Sequence, residues 1–256
     1  MYRFSDCHVV VTGAGSGIGK AIALRLSSEG AHVSLMGRRI EKLEETKQEI
    51  VESGGNSNYY ICDIRDKNQI QNAFESAVQE NGSIYACIAN SGIGGPNKPG
   101  DNDRFEELIT TNLIGTYMTL RTAQKYLLQE GSSHLVVIAS CLARFGVPGY
   151  TGYCASKAGL LGLVRSFALE VAAKGTQVNA ICPGWVDTEM ATEGLEDMAS
   201  NLNISFEEAK FQSLKAVPMG YMSKPKDIAG MVGWLISEDA RGVTGQSLDI
   251  NGGSWM

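Results

Sequence analysis

The chain has 256 residues, 43% hydrophobic and 20% charged, with a formal net charge of -6 and a pI near 5.2. This length and composition suit one α/β domain able to bury a core. The acidic balance argues against nucleic acid or an anionic membrane as main partner, because both need a basic face.

Seven short, near-continuously apolar, β-branched runs predict strands at 7–12, 32–36, 58–62, 84–89, 134–139, 177–182 and 246–250. Amphipathic stretches between them predict helices at 18–29, 41–52, 67–80, 105–130 and 153–173. The alternation predicts a doubly wound, mainly parallel seven-stranded sheet with right-handed crossovers and helices on both faces, a Rossmann fold. With no internal repeat or linker, residues 1–256 read as a single domain. Residues 187–217 are helix-prone and longer than a connection needs, which suggests a helical lid over a substrate pocket; an ordinary helical excursion is the alternative.

No run reaches the roughly 18 apolar residues of a membrane-spanning helix, and the N-terminal segment leads directly into the first strand rather than reading as a signal peptide. The six cysteines form no CxxC pair and only three histidines exist, so no metal site is expected. Buried thiols in a reducing cytoplasm fit this usage.

The first strand runs into VVVTGAGSGIGKA, with Gly13, Gly15, Ser16, Gly17, Ile18 and Gly19 between strand and helix. In that context glycines permit a tight turn and close approach of the backbone to a pyrophosphate. The helix N-terminus then offers free N–H groups and the positive end of its dipole. Another nucleotide-like ligand on the same scaffold is the alternative. After the second strand come Gly37, Arg38 and Arg39, with no carboxylate between Glu29 and Glu41. A carboxylate there would bind ribose hydroxyls. Two arginines instead suit a 2′-phosphate, which favours NADP(H), with NAD(H) as the alternative. Asp63 and Ile64 follow the third strand, at the sheet edge where ligands of open sheets bind. Asp63 can accept from an adenine amino group or serve as a turn or N-cap carboxylate.

Tyr153 and Lys157 stand four apart, on one face of a helix-period segment. A free phenol has a pKa near 10, and a nearby ammonium favours the phenolate, bringing it towards use as an acid/base. Ser140, placed at the end of the fifth strand, can hold a substrate oxygen beside the phenol. Asn112 is a polar residue inside an amphipathic helix, either a satisfied core amide or a link from Lys157 towards solvent.

Together these motifs resemble the short-chain dehydrogenase/reductase family, in its compact single-domain branch, over essentially the full length. They are TGAGSGIG at 12–19, CDI with Asp63, ANSG at 89–92, Asn112, Ser140, YCASK at 153–157, PGWVDT at 183–188 and the glycine-rich tail at 249–253. The resemblance implies an oxidoreductase moving hydride between NADP(H), or NAD(H), and a ketone or secondary alcohol. Tyr153 would be the general acid/base, with Lys157 lowering its pKa and binding the nicotinamide ribose. Ser140 would orient substrate, and Asn112 would support a proton path. Asn90, Ser91 and Gly92 would line the cofactor, as would Pro183, Gly184, Val186 and Thr188. A 3-oxoacyl or polyketide-type ketoreductase is one specific alternative; a non-catalytic dinucleotide-binding regulator is another. A homo-oligomer, dimer or tetramer, is expected in the cytoplasm, without nucleic acid or membrane partners. Ser91 stands where the family commonly has Ala, and Ser16 where some NADP-preferring members carry a basic residue.

Overall fold

The computed structural model describes residues 2–256. Seven strands form one parallel sheet in the order β3-β2-β1-β4-β5-β6-β7. They are β1 His8–Thr12, β2 His32–Gly37, β3 Asn56–Ile61, β4 Ala86–Ala89, β5 Ser133–Ile138, β6 Thr176–Pro183 and β7 Ser247–Ile250. The predicted doubly wound sheet is therefore present, with its strand order reversing between β1 and β4.

The helices are α1 Gly17–Ser28, α2 Ile40–Glu52, α3 Lys67–Asn81, α4 Phe105–Ile109, α5 Thr116–Gln124, α6 Thr151–Val171, α7 Glu189–Leu202, α8 Phe206–Leu214 and α9 Pro225–Leu235. Residues of α1, α2 and α9 (Ile22, Leu26, Leu43, Ile50, Ile228, Val232) cover one face of the sheet. Residues of α3, α5 and α6 (Phe74, Leu120, Leu160, Val164, Phe167) cover the other. Cover on both faces buries every residue of β1, β4 and β5, which are apolar apart from His8, Thr12, Ser133 and His134. The expectation of uniform apolarity fails at the edges. β3 (NSNYYI) and β7 (SLDI) are half-exposed, because each has only one neighbour.

The predicted helix 105–130 is interrupted. Between α4 and α5, Thr110–Gly115 is a π-helical turn, and α5 ends at Gln124. At this turn the chain packs closely on the loop after β3: a Cβ on Gly115 would lie 2.9 Å from both the side chain and the carbonyl oxygen of Ile64. Such single-turn bulges recur at functional sites. The segment 187–217 does form two helices, α7 and α8, joined through Asn203 in the left-handed conformation at φ 51°. No helix among the described residues is long and apolar enough to cross a membrane.

Candidate active site

The reversal of strand order between β1 and β4 opens a crevice at the carboxyl ends of the strands, the usual ligand position in such sheets. The glycine loop and the loop after β4 form its two lips. Thr12, the last residue of β1, ties them together. Its Oγ1 accepts from the Asn90 and Ser91 N–H groups, both at 3.0 Å, and Asn90 Nδ2 donates to Thr12 O at 2.9 Å. Asn90 thus braces the glycine loop rather than standing free along the crevice. Sequence inspection passed over Thr12; a hydroxyl as the last residue of an otherwise apolar strand was the available signal.

The glycine loop is shaped by close approaches. Gly13 has φ +67°, and a Cβ there would lie 2.9 Å from Asn90 Nδ2. A Cβ on Gly19 would sit 2.2 Å from Gly13 O. Gly17 (φ +52°) faces Thr188, the residue before α7. Ser16 occupies the N-cap of α1 without capping it, which leaves first-turn N–H groups facing the crevice. Its hydroxyl accepts instead from Arg39 Nη2 at 2.7 Å. Arg39 also approaches Glu189 of α7 at 3.5 Å. The loop, the arginine and the start of the 187–217 segment therefore converge. A site of bare glycine backbone, a helix N-terminus and adjacent guanidinium groups fits a dinucleotide carrying an extra phosphate.

Three residues expected at the cofactor already have neighbours within the chain. A Cβ on Gly37 would lie 3.3 Å from Leu43, so this glycine serves close packing of α2. Asp63 is the partner of two arginines. Arg65 reaches its carboxylate at 2.6 Å, Arg38 lies at 4.0 Å, and the Arg65 N–H donates to it at 3.0 Å. It is a paired turn carboxylate, held below the usual carboxylate range chiefly by the Arg65 side chain. The N-cap of α3 is Asp66. The Ile64 side chain is buried against Gly115, which leaves only its backbone at the sheet edge.

Ser140 lies two residues beyond the end of β5, and its Oγ accepts from the Leu142 N–H at 3.1 Å. It stands beside the Tyr153 phenol. Lys157 lies one helical turn further along α6, with Nζ 5.8 Å from the Tyr153 ring centroid. The ammonium is 6% exposed and donates to Ile138 O at 3.0 Å. Burial pushes the phenol up to about 12 while the neighbouring Ser140 hydroxyl pulls it back. Burial also drives Lys157 down to about 8. Removing water disfavours the charged form of each group.

Asn112 sits in the π turn and is fully engaged. Its Oδ1 accepts from the Ile93 N–H at 2.8 Å, while Nδ2 donates to Ile93 O at 3.0 Å and to Ser156 Oγ at 3.1 Å. A Cβ on Gly92 would meet Asn112 Oδ1 at 3.0 Å and Lys157 Nζ at 3.5 Å, which places Asn112 near the lysine across that glycine. Pro183 ends β6, Gly184 packs on the Asn251 backbone, and Val186 is buried. Arg144 is engaged by β7. It pairs with Asp249 at 3.0 Å and donates to Ser247 O at 2.8 Å. All six cysteines are free thiols.

A family model described as Enoyl-(Acyl carrier protein) reductase matches residues 13–254. A putative ketoacyl reductase of the granaticin polyketide synthase from Streptomyces violaceoruber is 35% identical over 248 residues, 95% of this chain and 91% of that one. The 3-oxoacyl-[acyl-carrier-protein] reductase FabG of Staphylococcus aureus is 33% identical over 251 residues, 96% of this chain and 97% of its own. Among solved structures, an actinorhodin polyketide ketoreductase variant with NADPH superposes with a TM-score of 0.93 at 34% identity, covering 97% of each chain. Levodione reductase does so at 0.92 and 30% identity, covering 98% of each. A crevice built as described, within a sheet shared with these reductases from end to end, means that the chain belongs to the short-chain dehydrogenase/reductase family and is an oxidoreductase of the ketoreductase type.

Proposed function

We propose that the chain reduces a moderately apolar ketone to a secondary alcohol with NADP(H), Tyr153 giving the proton. The observation that carries this reading is the phenol itself. It stands beside Ser140 and one helical turn from Lys157, whose Nζ lies 5.8 Å from its ring centroid. A bound nicotinamide dinucleotide supplies the hydride to the carbonyl carbon. Ser140 holds the carbonyl oxygen beside the phenol. Tyr153 transfers its proton to that oxygen as the C=O bond becomes C–O–H, and Lys157 stabilises the phenolate left behind until it is reprotonated.

Arg39 with Ser16, and Arg38 beside it, support the preference for the 2′-phosphate, as does the NADPH-bound neighbour. Helices α7 and α8 act as the lid in this reading, over one continuous domain. A 3-oxoacyl substrate is the second reading, favoured by the names of the relatives. The carboxylates Glu189, Glu193, Glu196, Asp197, Glu207 and Glu208 on α7 and α8 oppose an acidic carrier. Exposed Phe105, Ile114, Tyr117 and Leu169 on α4, the π turn, α5 and α6 support a homo-oligomer, and the free thiols suit a cytoplasmic setting.

The test is NADPH or NADH oxidation with cyclic ketones, a 3-oxo ester, acetoacetyl-CoA and an enoyl thioester. The expected result is NADPH-dependent reduction of ketones, little change with the enoyl thioester, and loss of about 10²- to 10⁴-fold in Tyr153→Phe with NADPH still bound. Near-normal turnover by that variant ends the assignment of Tyr153.

A further inference from the structure

The catalytic helix begins without a cap of its own. Tyr150, at the N-cap of α6, makes no side-chain hydrogen bond to the first turn. A helix start leaves N–H groups that need partners, and an Asn, Asp, Ser or Thr side chain usually supplies one. Here the partner comes from another part of the chain. Asn97 lies in the loop after β4 and is 5% exposed. Its Oδ1 accepts from the Gly152 N–H at 2.8 Å and from Thr151 Oγ1 at 3.2 Å. Its Nδ2 donates to Asp103 Oδ1 at 3.0 Å, and its own N–H donates to Gly149 O at 2.8 Å. Tyr153 is the next residue after Gly152.

A second amide holds the same turn from the other side. Asn112 Nδ2 donates to Ser156 Oγ, and Ser156 Oγ donates to Tyr153 O at 2.8 Å. The peptide of the proposed proton donor is thus held between two buried asparagines, neither of them on α6. Asn97 also belongs to the loop that carries Gly92 past Lys157. One side chain therefore fixes the phenol's helix against the lip of the crevice.

We infer that Asn97 is a positioning residue for the reduction, capping the catalytic helix from a distance so that the Tyr153 phenol meets the substrate oxygen in register. This rests on Tyr153 as the proton donor. Asp103 keeps the Asn97 amide in the required orientation, since its carboxylate accepts only from Nδ2 and so turns Oδ1 towards Gly152.

The test compares Asn97→Ala, Asn97→Asp, the exchanged pair Asn97→Asp with Asp103→Asn, and Tyr153→Phe. Each is assayed for kcat and KM with NADPH and the fastest ketone found for the parent, for NADPH affinity by fluorescence, and for hydrogen exchange in residues 150–156. Asn97→Ala is expected to lose about 10- to 100-fold in kcat, the scale of a roughly 1 Å misplacement. Its NADPH affinity should hold and its exchange at the start of α6 should quicken. Asn97→Asp sets two carboxylates against each other and should also lose kcat. The exchanged pair keeps an acceptor for the Gly152 N–H and removes the clash of two carboxylates; because Asp103 Oδ1 also accepts from the Phe105 N–H at 2.9 Å, it should recover part of the rate. If Asn97→Ala does not fold, the single and exchanged variants carry the comparison. Parental kcat in Asn97→Ala, or an exchanged pair no better than Asn97→Asp alone, overturns the inference. Parental turnover in Tyr153→Phe would instead overturn the reading on which it rests.

Discussion

Burying an ammonium is costly, and α6 buries one at Lys157 with a single carbonyl, Ile138 O, as its hydrogen-bond partner. Its pKa falls from 10.5 to about 8. Between those values the folded chain binds fewer protons than the unfolded one, so this group makes stability rise with pH across that window. At neutral pH the charged form therefore costs about 3 kcal/mol. Lys157→Met should remove that cost while leaving the Ile138 carbonyl unpaired, at about 1–2 kcal/mol. The expected outcome is a Tm higher by about 2–4 °C, a flatter stability profile between pH 8 and 10, and turnover lower by about 100-fold or more. Calorimetry and NADPH assays on the same preparation check both. A lowered Tm would show that the lysine contributes more through contacts than it costs through desolvation. The spacing of Tyr153 and Lys157 was legible in the sequence. The direction of their titration was not, because a four-residue spacing carries no information on how much water the fold removes.

At the scale of elements, the glycine loop is held by β1 and β4 acting together. Thr12 is 1% exposed, and its hydroxyl accepts from two N–H groups of the loop after β4. Thr12→Val keeps the shape but leaves both donors unpaired, at about 1–3 kcal/mol each. The predicted result is a lower urea midpoint and weaker NADPH binding by about tenfold, the equivalent of about 1.4 kcal/mol passed on to the site. Unchanged affinity in the folded variant would show that the two lips are set independently. The glycine loop could be read from strand, glycines and helix in succession. The clamp could not, since Thr12 and Asn90 are far apart in sequence and meet only because β1 and β4 are neighbours at the reversal of strand order. The π turn was not legible either: residues 105–124 keep a helical period, and the close packing of Gly115 on Ile64 joins two distant segments.

For the whole molecule, the amino ends of the strands set the acid limit. His8 and His134 are 3% and 2% exposed, and burial pulls each from 6.5 to about 4. His8 bonds Gly82 O and Ser34 Oγ through its two ring nitrogens, both at 2.8 Å. His134 packs its ring 4.9 Å from Tyr85, and its Nδ1 has no partner. Both stay neutral in the folded chain and gain protons when it unfolds, so stability is full above about 6.5 and is lost as pH falls towards 4. At pH 5 the loss is about 2 kcal/mol for each histidine. Urea midpoints at pH 7.5 and 5 should differ accordingly, and His134→Phe should cut the difference by about half. An unchanged difference would assign the acid sensitivity to carboxylates instead.

Strand–helix alternation, the run of glycines, the arginines after β2 and the Tyr–Lys spacing are local patterns. Local sterics and hydrogen bonding fix what such patterns mean, so the sequence alone determined the doubly wound class, the nucleotide crevice and the reductase family. Tertiary structure decided which side chains were already engaged. Asp63 is taken by Arg65 and Arg144 by Asp249, and Gly37 packs closely on Leu43. It also decided that Asn97 and Asn112 hold the catalytic helix from outside it. Hydrogen-bond partners and desolvation depend on what lies within a few ångströms in space, and in a parallel sheet the chain brings those neighbours from strands and loops far away in sequence.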